Sequence, residues 1–551
     1  MKVLDGRWAP WLLGSFLVVG LAWPALDPAV QLFYRDTGRL YYELKLFIAA
    51  QLTQGQSPFW DPWVESGTPI LTQVAPGLFH PLTLLYLAPF DLAFKLNHLL
   101  ALPLAFASMV LLCRKTGASR WAAAAAAAAY AGSGWVVSMT NCNLTYALSA
   151  GAIPLALHGL LRFVERPRPL RLLWASYALA LCFYGGDPQS MLFAGALGAA
   201  WVLGAKRSWR SLAEVAAWGF CAILLAAPAV LPVLPRLLQS SRSSGLSEQE
   251  LATFAQCQAG GTIAAAPVQL FRGPVPLADA LRALAGPSTE RWRTRAATPG
   301  SLLIDGFPTR MRPWIGGQQM LDPMFNQLAA VESVASYTPL ADLDYETAYL
   351  FAPSALSQTM GVRFDIQGPT EMAPEAAARN GYRRRGPYGA WVKEFPARPR
   401  AFLAARARTA VSRDEALHLL SHGAFQVREA VLRKEVQLPC PAAPAPAVDL
   451  ERHAPDSLRA TFVASARSVL VVSEHYDSGW RATLDGAPAE VLQANLSALA
   501  VVVPAGAHAV ELRYQPPWLL PGLLLALACA LALGLLEFLE KDHRVGAAEA
   551  E

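Results

Sequence analysis

Charged residues are scarce in this 551-residue sequence and make up only 16% of it. A soluble domain carries roughly a quarter charged residues. Hydrophobic residues reach 54%, and the mean hydropathy is +0.29. The shortage of charge excludes an ordinary soluble protein and indicates a membrane protein with substantial polar parts.

Cysteine motifs and nucleic-acid-binding patterns are also missing. The seven cysteines show no C-x-x-C and no Cys/His ligand spacing, so isolated thiols are favoured, although a disulfide between Cys257 and Cys440 stays open. The net charge of +5 comes without a basic stripe of interleaved aromatic residues, which excludes nucleic acid as a partner. The acidic residues are scattered, so the sequence predicts no metal site and no certain cofactor, and leaves a divalent cation open.

What the sequence does have is a series of apolar runs, each about long enough to cross a bilayer. The first begins at Trp8 and has no small-residue cleavage site after Pro24, so we interpret it as a retained helix and not as a removed signal peptide. These runs predict a polytopic α-helical membrane protein with about eight spans. The predicted spans are 8–25, 95–113, 121–140, 146–162, 171–186, 189–205, 212–236 and 517–537.

Basic clusters fall on alternate connections between these spans and therefore share one side of the membrane. By the positive-inside rule that side is cytoplasmic, together with both termini. The other, outer side then receives the loop 26–94 and the long segment from about 238 to 516. The clusters are Arg114, Lys115 and Arg120; Arg162, Arg166, Arg168 and Arg171; and Lys206, Arg207 and Arg210.

Four parts are predicted along the chain. Residues 1–237 are predicted as a seven-span membrane core, and residues 238–438 mix helical patterns, such as the one at 248–256, with short strands as an outer α+β domain. A proline-rich linker at 439–446 would break any helix or central strand. Period-two patterns then predict a β-sandwich at 447–515, with a hairpin turn at Asp485-Gly486, before the last span and tail at 516–551. The predicted sandwich strands are Leu458–Val463, Ser468–Ser473, Trp480–Leu484, Val491–Ala494, Ala498–Val503 and Ala509–Tyr514.

The first outer loop carries the most informative charged group, Asp36, a dozen residues past the first span and flanked by Arg35 and Arg39. Charged groups this close to hydrocarbon are costly and usually functional. As a structural alternative, Asp36 caps the helix that begins near Thr37. Apolar residues at helical spacing predict that this helix is amphipathic and lies along the outer membrane surface. They are Leu40, Leu44, Phe47, Ile48 and Leu52.

Several segments together resemble the bacterial YfhO-like membrane protein family, which is similar to the C-fold glycosyltransferases. They are Phe59-Trp60-Asp61-Pro62 and Gly67-Thr68-Pro69 in the first outer loop, Gly186-Asp187-Pro188-Gln189 in a later one, Pro399-Arg400-Ala401-Phe402 in the outer domain, and Ser473-Glu474-His475, Gly479-Trp480, Asp485-Gly486 and Gln493-Ala494-Asn495 near the C-terminus. The resemblance implies an inner-membrane glycosyltransferase. It would move a sugar from a polyprenyl-phosphate donor to an envelope glycan or lipid acceptor on the outer face.

Such a transfer needs a carboxylate that takes the acceptor's proton and cations that hold the donor phosphate. Asp36 is the candidate base, and Arg35, Arg39 and Lys45 are candidate phosphate partners. For the two interfacial arginines, nonspecific binding of lipid headgroups is the commoner use. Asp187, in another outer loop, is a candidate second carboxylate or metal ligand, with a turn position as its alternative.

Glu43, Trp60 and His80 complete the candidate substrate-binding residues, and each has a structural alternative. Glu43 is a solvated ion-pair partner on its helix, Trp60 is an interface anchor, and His80 starts a helix. A second function also stays open, a non-catalytic envelope scaffold or lipid-binding protein with a transferase-like fold. A transporter or flippase is disfavoured because the spans contain almost no charge.

Overall fold

The structure is a computed structural model that describes residues 8–238, 265–287, 292–296, 312–335, 340–404, 406–421, 428–438 and 447–549. Cys257 and Cys440 lie outside these residues, as does a helical pattern predicted at 248–256. The other five cysteines are free thiols.

Helices occupy the positions at which the spans are predicted. In chain order they are α1 Ala9–Ala22, α2 Tyr42–Thr53, α3 Phe90–Leu99, α4 Ala101–Lys115, α5 Arg120–Ala131, α6 Gly134–Cys142, α7 Leu144–Glu165, α8 Pro169–Tyr184, α9 Pro188–Ala205, α10 Trp209–Leu238 and a C-terminal helix Leu519–Glu549. The first outer loop also holds short helical turns at Trp23–Ala25, Thr37–Tyr41 and Pro81–Leu87.

The predicted count of eight spans is not confirmed. Within the described ranges, four segments are long and apolar enough to cross a membrane: Phe90–Lys115, Leu144–Glu165, Trp209–Leu237 and Leu519–Glu540. The helices α5 and α6 make a fifth if they are taken as one span bent by 44°. The bend arises because a new helix begins at Gly134, where Ser133 caps it by accepting a hydrogen bond from the Val136 amide.

The basic connections lie together at one end of the helices. Lys115, just after α4, forms an ion pair with Glu165 at the end of α7. At the same end, Glu537 of the C-terminal helix accepts a hydrogen bond from the Leu170 amide at 3.2 Å. The first outer loop and the β-rich parts of the chain pack at the opposite end. Which side of the membrane each end faces stays a prediction.

The prediction of an amphipathic surface helix is wrong for α2. Both its apolar and its polar residues are buried, including Glu43, Lys45 and Gln51. The reason is that α2 lies in the interior, where the aromatic ring of Tyr42 stacks against Phe271 from the segment after the membrane helices. The polar face that the sequence assigns to water is thus covered by protein.

The outer α+β region forms a mixed five-stranded sheet with helices around it. Its strands, in spatial order, are Glu332–Ser333, Arg293–Ala296, Val362–Gln367, Ala390–Glu394 and Arg383–Arg385. The helices of this region are Gln269–Arg272, Pro276–Ala285, Arg312–Gln319, Leu343–Phe351, Pro353–Thr359, Pro374–Arg379 and Arg413–Ser421. The first strand of the sheet continues onto the first outer loop, because the Ser333 amide donates to the Trp63 carbonyl at 2.8 Å.

The C-terminal region is a sandwich of two sheets, and all six strands predicted there are present. One sheet has the order Ala401–Ala404, Ser468–His475, Ala498–Val503, Leu492–Ala494, Glu429–Leu432 and Arg406–Thr409. The other has the order Asp449–Ala454, Ser457–Ala464, Gly506–Tyr514, Trp480–Leu484 and Ala487–Ala489. Both residues of the predicted hairpin turn, Asp485 and Gly486, have positive φ, at 52° and 84°.

The sandwich extends across the proline-rich linker that sets the predicted domain boundary. Three strands of the six-stranded sheet come from before residue 439, and Ala401–Ala404 pairs antiparallel with Ser468–His475 beyond it. Apolar side chains of both sheets form one core, including Leu403, Leu470 and Leu512. The residues on the two sides of the linker therefore fold together.

Two further pairs of short strands stabilise the first outer loop. Val30–Leu32 pairs with Ala265–Pro267, and Trp60–Asp61 pairs with Thr68–Pro69. The first pair connects the loop to the chain that follows α10, and the second closes the loop on itself. Both pairs fix the backbone on either side of Asp36.

Candidate functional site

Asp36 lies at a tight backbone turn between a strand and a helical segment. The strand Val30–Leu32 ends just before it, and Arg35 has a left-handed φ of 53°. Such a φ is uncommon for a residue with a side chain. The turn leads into the π-helix Thr37–Tyr41, a geometry that often marks functional positions. Asp36 is half-buried and Arg35 is exposed, so both can meet a ligand.

Gly38 attaches this turn to the outer domain. Its carbonyl accepts a hydrogen bond from the indole Nε1 of Trp314 at 3.0 Å. A Cβ on Gly38 would lie 2.3 Å from the Phe33 carbonyl oxygen and 2.6 Å from Trp314 Nε1. Only glycine therefore fits between the turn and the helix Arg312–Gln319.

Tyr41 attaches the other side of the turn to the membrane helices. Its hydroxyl donates to Asn143 Oδ1 at 2.9 Å, and Asn143 caps the N-terminus of α7 by accepting from the Thr145 amide. Burial, and then the negative charge of Asp36, raise the pKa of Tyr41. Arg35 and Asp36 also lie close enough to Cys142 to interact with it electrostatically. The carboxylate thus sits beside the junction between α6 and α7.

Arg39 lies near two buried carboxyl groups. Glu43 is fully buried, and neither of its oxygens has a hydrogen-bond partner among the described residues. Burial raises the pKa of Glu43 well above its usual value, and Arg39 opposes this shift. Burial also raises the pKa of Asp322 to about 8, again opposed by Arg39. Sequence analysis missed Asp322 because no motif or periodic pattern surrounds it.

Lys45, on α2, and His80 lie near each other in a separate buried place. Lys45 Nζ donates to the Pro76 carbonyl at 2.5 Å and lies 5.4 Å from the centre of the Tyr86 ring. Burial lowers the pKa of Lys45 to about 7. Burial, and then Lys45, lower the pKa of His80 to about 4. Lys45 is only 2% exposed, which leaves its ammonium no open path to a phosphate.

Asp187 is placed as a helix cap. Its Oδ1 accepts a hydrogen bond from the Ser190 amide at 2.8 Å, at the start of α9. The preceding Gly186 has a φ of 95° and packs so tightly that a Cβ would lie 2.6 Å from Thr145 and 2.8 Å from the Val74 carbonyl oxygen. Asp187 is 2% exposed, and burial raises its pKa. A direct chemical role for this residue stays a prediction.

Trp60, expected as a substrate contact or an interface anchor, is instead part of the sandwich core. It is fully buried, 4.9 Å from the Trp480 ring and 4.7 Å from the Tyr514 ring. Its indole Nε1 donates to Glu474 Oε1 at 2.8 Å. No face of this ring is left for a sugar or for lipid.

Several of the segments that carry the family resemblance meet around Glu474. Its Oε2 accepts hydrogen bonds from Arg452 Nη2 at 2.6 Å and Arg293 Nη2 at 3.2 Å. Arg293 also pairs with Glu332, which in turn pairs with Arg400 at 2.9 Å. All of these side chains are buried or nearly so, and each charge has an opposite charge beside it.

Backbone contacts complete this junction. His475 Nδ1 lies 3.0 Å from the Gly67 carbonyl oxygen, and the His475 amide donates to the Ser66 carbonyl. A Cβ on Gly67 would lie 2.5 Å from the Trp60 ring, which explains the glycine. The motifs of the first outer loop, the outer domain and the sandwich therefore hold these three parts together.

Of the candidate residues, Asp36, Arg35 and Arg39 come together at one turn, with Glu43 behind them. Lys45 with His80, Asp187 and Trp60 lie at other places and are buried. Within the part of the chain that the structure describes, no group of three or more His, Cys, Asp or Glu side chains could hold a metal ion. The turn at Asp36 is therefore the candidate site.

Comparison with known proteins gives a family and a set of similar solved structures. Two structures of the arabinofuranosyltransferase AftD from Mycobacteria, one of a point mutant and one without that label, have TM-scores of 0.49 and 0.46 at 10% identity. Each alignment covers 93% of this chain but only 60% and 57% of the AftD chain. This chain thus spans about three fifths of the length of those structures. No curated protein matches it.

The family is identified by a match over two stretches. The family described as bacterial membrane protein YfhO matches residues 29–256 and 445–526 of this sequence. Together these residues make up more than half of the chain. The first stretch contains the Asp36 turn and the helices from α2 to α10, and the second contains most of the sandwich and the start of the C-terminal helix. The protein belongs to the bacterial membrane protein YfhO family.

Proposed function

We propose that the protein is a membrane glycosyltransferase. It transfers a sugar from a polyprenyl-phosphate donor to an envelope glycan or lipid acceptor. It resides in the bacterial inner membrane, with the Asp36 turn and the β-rich regions on the outer face. The observation that carries this proposal is the position of Asp36, a half-buried carboxylate between an exposed arginine and a half-buried one at the junction of membrane helices and outer domain.

The chemistry follows from this arrangement. The Asp36 carboxylate accepts the proton of the acceptor hydroxyl as its oxygen forms a bond to the anomeric carbon. The bond between that carbon and the donor phosphate breaks, and the polyprenyl phosphate leaves with the bonding electrons. Arg35 and Arg39 hold the phosphate as its negative charge grows, since guanidinium groups bind phosphate through paired hydrogen bonds.

The surrounding residues keep the turn in place. Trp314 fixes its outer side through Gly38, and Tyr41 fixes its membrane side through Asn143. Glu43 and Asp322 lie near Arg39 and interact with it electrostatically. A base held from both sides is suited to catalysis, because little reorganisation is needed when substrates bind.

The test is sugar transfer by the full chain in vesicles that contain a polyprenyl-phosphate sugar. Asp36→Asn removes the base and keeps the shape, so we expect transfer to fall by about 10²- to 10⁴-fold. Asp27→Asn, an exposed aspartate in the same loop, is the matched control and should keep full activity. Full transfer by a normally expressed Asp36→Asn protein would overturn the assignment.

A second candidate function is a non-catalytic envelope scaffold or lipid-binding protein. The observation that favours it is the burial of Lys45, Trp60 and Asp187, which removes three candidate ligands from contact with substrate. This alternative predicts that neither the unaltered protein nor the Asp36 variant transfers sugar. It also predicts that the unaltered protein and the Asp36 variant, each expressed in a strain that lacks this protein, both restore a normal envelope.

A further inference from the structure

Three consecutive arginines form one edge of the outer α+β sheet. Among the residues that the structure describes, the strand Arg383–Arg385 pairs only with Ala390–Glu394. Arg383 and Arg384 are exposed, and Arg385 is half-buried. Arg379, at the end of the helix Pro374–Arg379, adds a fourth exposed guanidinium shortly before the strand. The edge therefore presents a dense positive charge.

These four charges are not neutralised by neighbours. Within the described ranges, none of them forms an ion pair, whereas other arginines of the same sheet do. Arg363 pairs with Glu394 at 3.1 Å, and Arg295 pairs with Asp365 at 3.5 Å. The edge thus has charge available for a partner, and Lys393 on the neighbouring strand adds a further cation beside Tyr382.

Aromatic residues accompany the arginines. The Arg384 guanidinium lies 4.6 Å from the centre of the Trp391 ring, which holds it in a fixed position. Tyr382 and Tyr388 flank the strand. The Tyr382 hydroxyl donates to Asp365 at 2.6 Å, and Tyr388 is 37% exposed. Amphipathic rings beside cationic groups suit a ligand that has both apolar ring faces and anionic groups.

The position of this edge in the sheet points away from the first outer loop. The opposite edge, Glu332–Ser333, contacts that loop through the hydrogen bond between Ser333 and Trp63. The arginine strand lies four strands further on, which is roughly 19 Å at the usual strand spacing. The arginine strand is therefore separated from the contact between Ser333 and Trp63 by the width of the sheet.

We propose that the edge Arg379 and Arg383–Arg385 is a docking surface for an acidic glycan, a polysaccharide with a carboxylate on its sugar rings. The guanidinium groups pair with the carboxylates, and the flanking tyrosines contact the sugar rings. This inference concerns binding alone, so it stands whether or not the protein transfers sugar. A plain alternative is that the arginines only keep the edge strand from pairing with another sheet.

The experiment uses the full chain in nanodiscs of zwitterionic lipid and a fluorescent oligogalacturonate as the probe. The test variant combines Arg383→Gln, Arg384→Gln and Arg385→Gln. The matched control removes three exposed arginines from the five-stranded sheet of the sandwich, with Arg459→Gln, Arg481→Gln and Arg513→Gln. Both variants lose the same charge, and thermal unfolding checks that both are folded.

We expect the probe to bind the unaltered protein, and binding to weaken about tenfold or more in the edge variant and less than twofold in the control. A triple lysine variant at 383–385 should bind at an intermediate level, because lysine keeps charge but not the planar fork. A neutral dextran should not bind. Equal loss in both glutamine variants, unchanged binding in the edge variant, or equal binding of anionic lipid vesicles to the same edge would each overturn the proposal.

Discussion

Trp60 Nε1 and Glu474 Oε1 are joined by a buried hydrogen bond of 2.8 Å across 414 positions of sequence. Through it, the first outer loop is inserted into the core of the C-terminal sandwich. The same loop carries Asp36, so the geometry of the candidate site depends on a contact made far away in the sequence. This relationship leads to the first prediction.

Trp60→Ala should lower the free energy of unfolding by about 3–5 kcal/mol, because it leaves a large cavity and an unpaired Glu474 oxygen. Trp60→Phe keeps most of the volume and should cost less. The half-buried Trp63 is the control, and Trp63→Ala should cost clearly less than Trp60→Ala. Denaturant unfolding in detergent measures all three, and equal costs at positions 60 and 63 would contradict the role given to Trp60.

Gly38→Ala should disturb the Asp36 turn directly. The added methyl would meet the Phe33 carbonyl oxygen and Trp314 Nε1, and the backbone oxygen cannot move cheaply. We expect a loss of about 1–3 kcal/mol in stability and a loss of sugar transfer in the protein that remains folded. Gly20→Ala, in α1 where no atom lies within 4 Å of the new methyl, is the control. A Gly38→Ala protein as stable and active as this control would refute the tight contact.

Lys45 should make stability depend on pH. Burial lowers its pKa to about 7 from an ordinary value of 10.5. Between these values the folded state binds fewer protons than the unfolded state, so the free energy of unfolding rises with pH, by up to about 1.4 kcal/mol per pH unit from this group. In Lys45→Met this contribution is absent.

The measurement compares unfolding at pH 7.5 and 9.5. The gain in stability between the two values should be smaller in Lys45→Met than in the unaltered protein. Lys206→Met, at an exposed position between α9 and α10, should leave the gain unchanged. If the methionine variant at 45 gains as much stability as the unaltered protein, Lys45 does not titrate in this range.

Asp187 should act as a helix cap. Asp187→Ala removes the hydrogen bond to the Ser190 amide and should cost about 1 kcal/mol. Asp187→Ser restores a capping oxygen and should recover most of the stability and keep sugar transfer. If the serine variant is stable but inactive, the carboxylate itself takes part in the chemistry, as the sequence-based candidate role requires.

Local patterns predicted the β-rich region well. Alternation of apolar and polar residues predicted strands such as Trp480–Leu484 with the observed bounds, because one face of that strand is buried. The Asp485-Gly486 turn followed from the same local chemistry. The pairing of Ala401–Ala404 with Ser468–His475 could not be predicted, since no local signal tells which distant strands will be neighbours.

The sequence predicted only those parts of the candidate site whose residues are close together along the chain. Asp36, Arg35 and Arg39 were identified by charge beside an apolar span. The burial of Glu43 and Lys45 was missed, because their helix has a polar face that suits water and only tertiary packing covers it. Glu474, which contacts Trp60, and Asp322, which lies near Arg39, are far from the first outer loop in sequence. No pattern in the loop sequence predicts these contacts.

The six-stranded sheet that crosses the proline-rich segment has a consequence for biosynthesis. Ribosomes release the N-terminus first, yet the pocket that receives Trp60 is closed only after the strands near residue 514 have been made. Until then the Trp60 indole of the first outer loop has no pocket to occupy. A chain that terminates before these strands therefore cannot bury Trp60. The segment that is made last decides whether the first outer loop reaches its folded position.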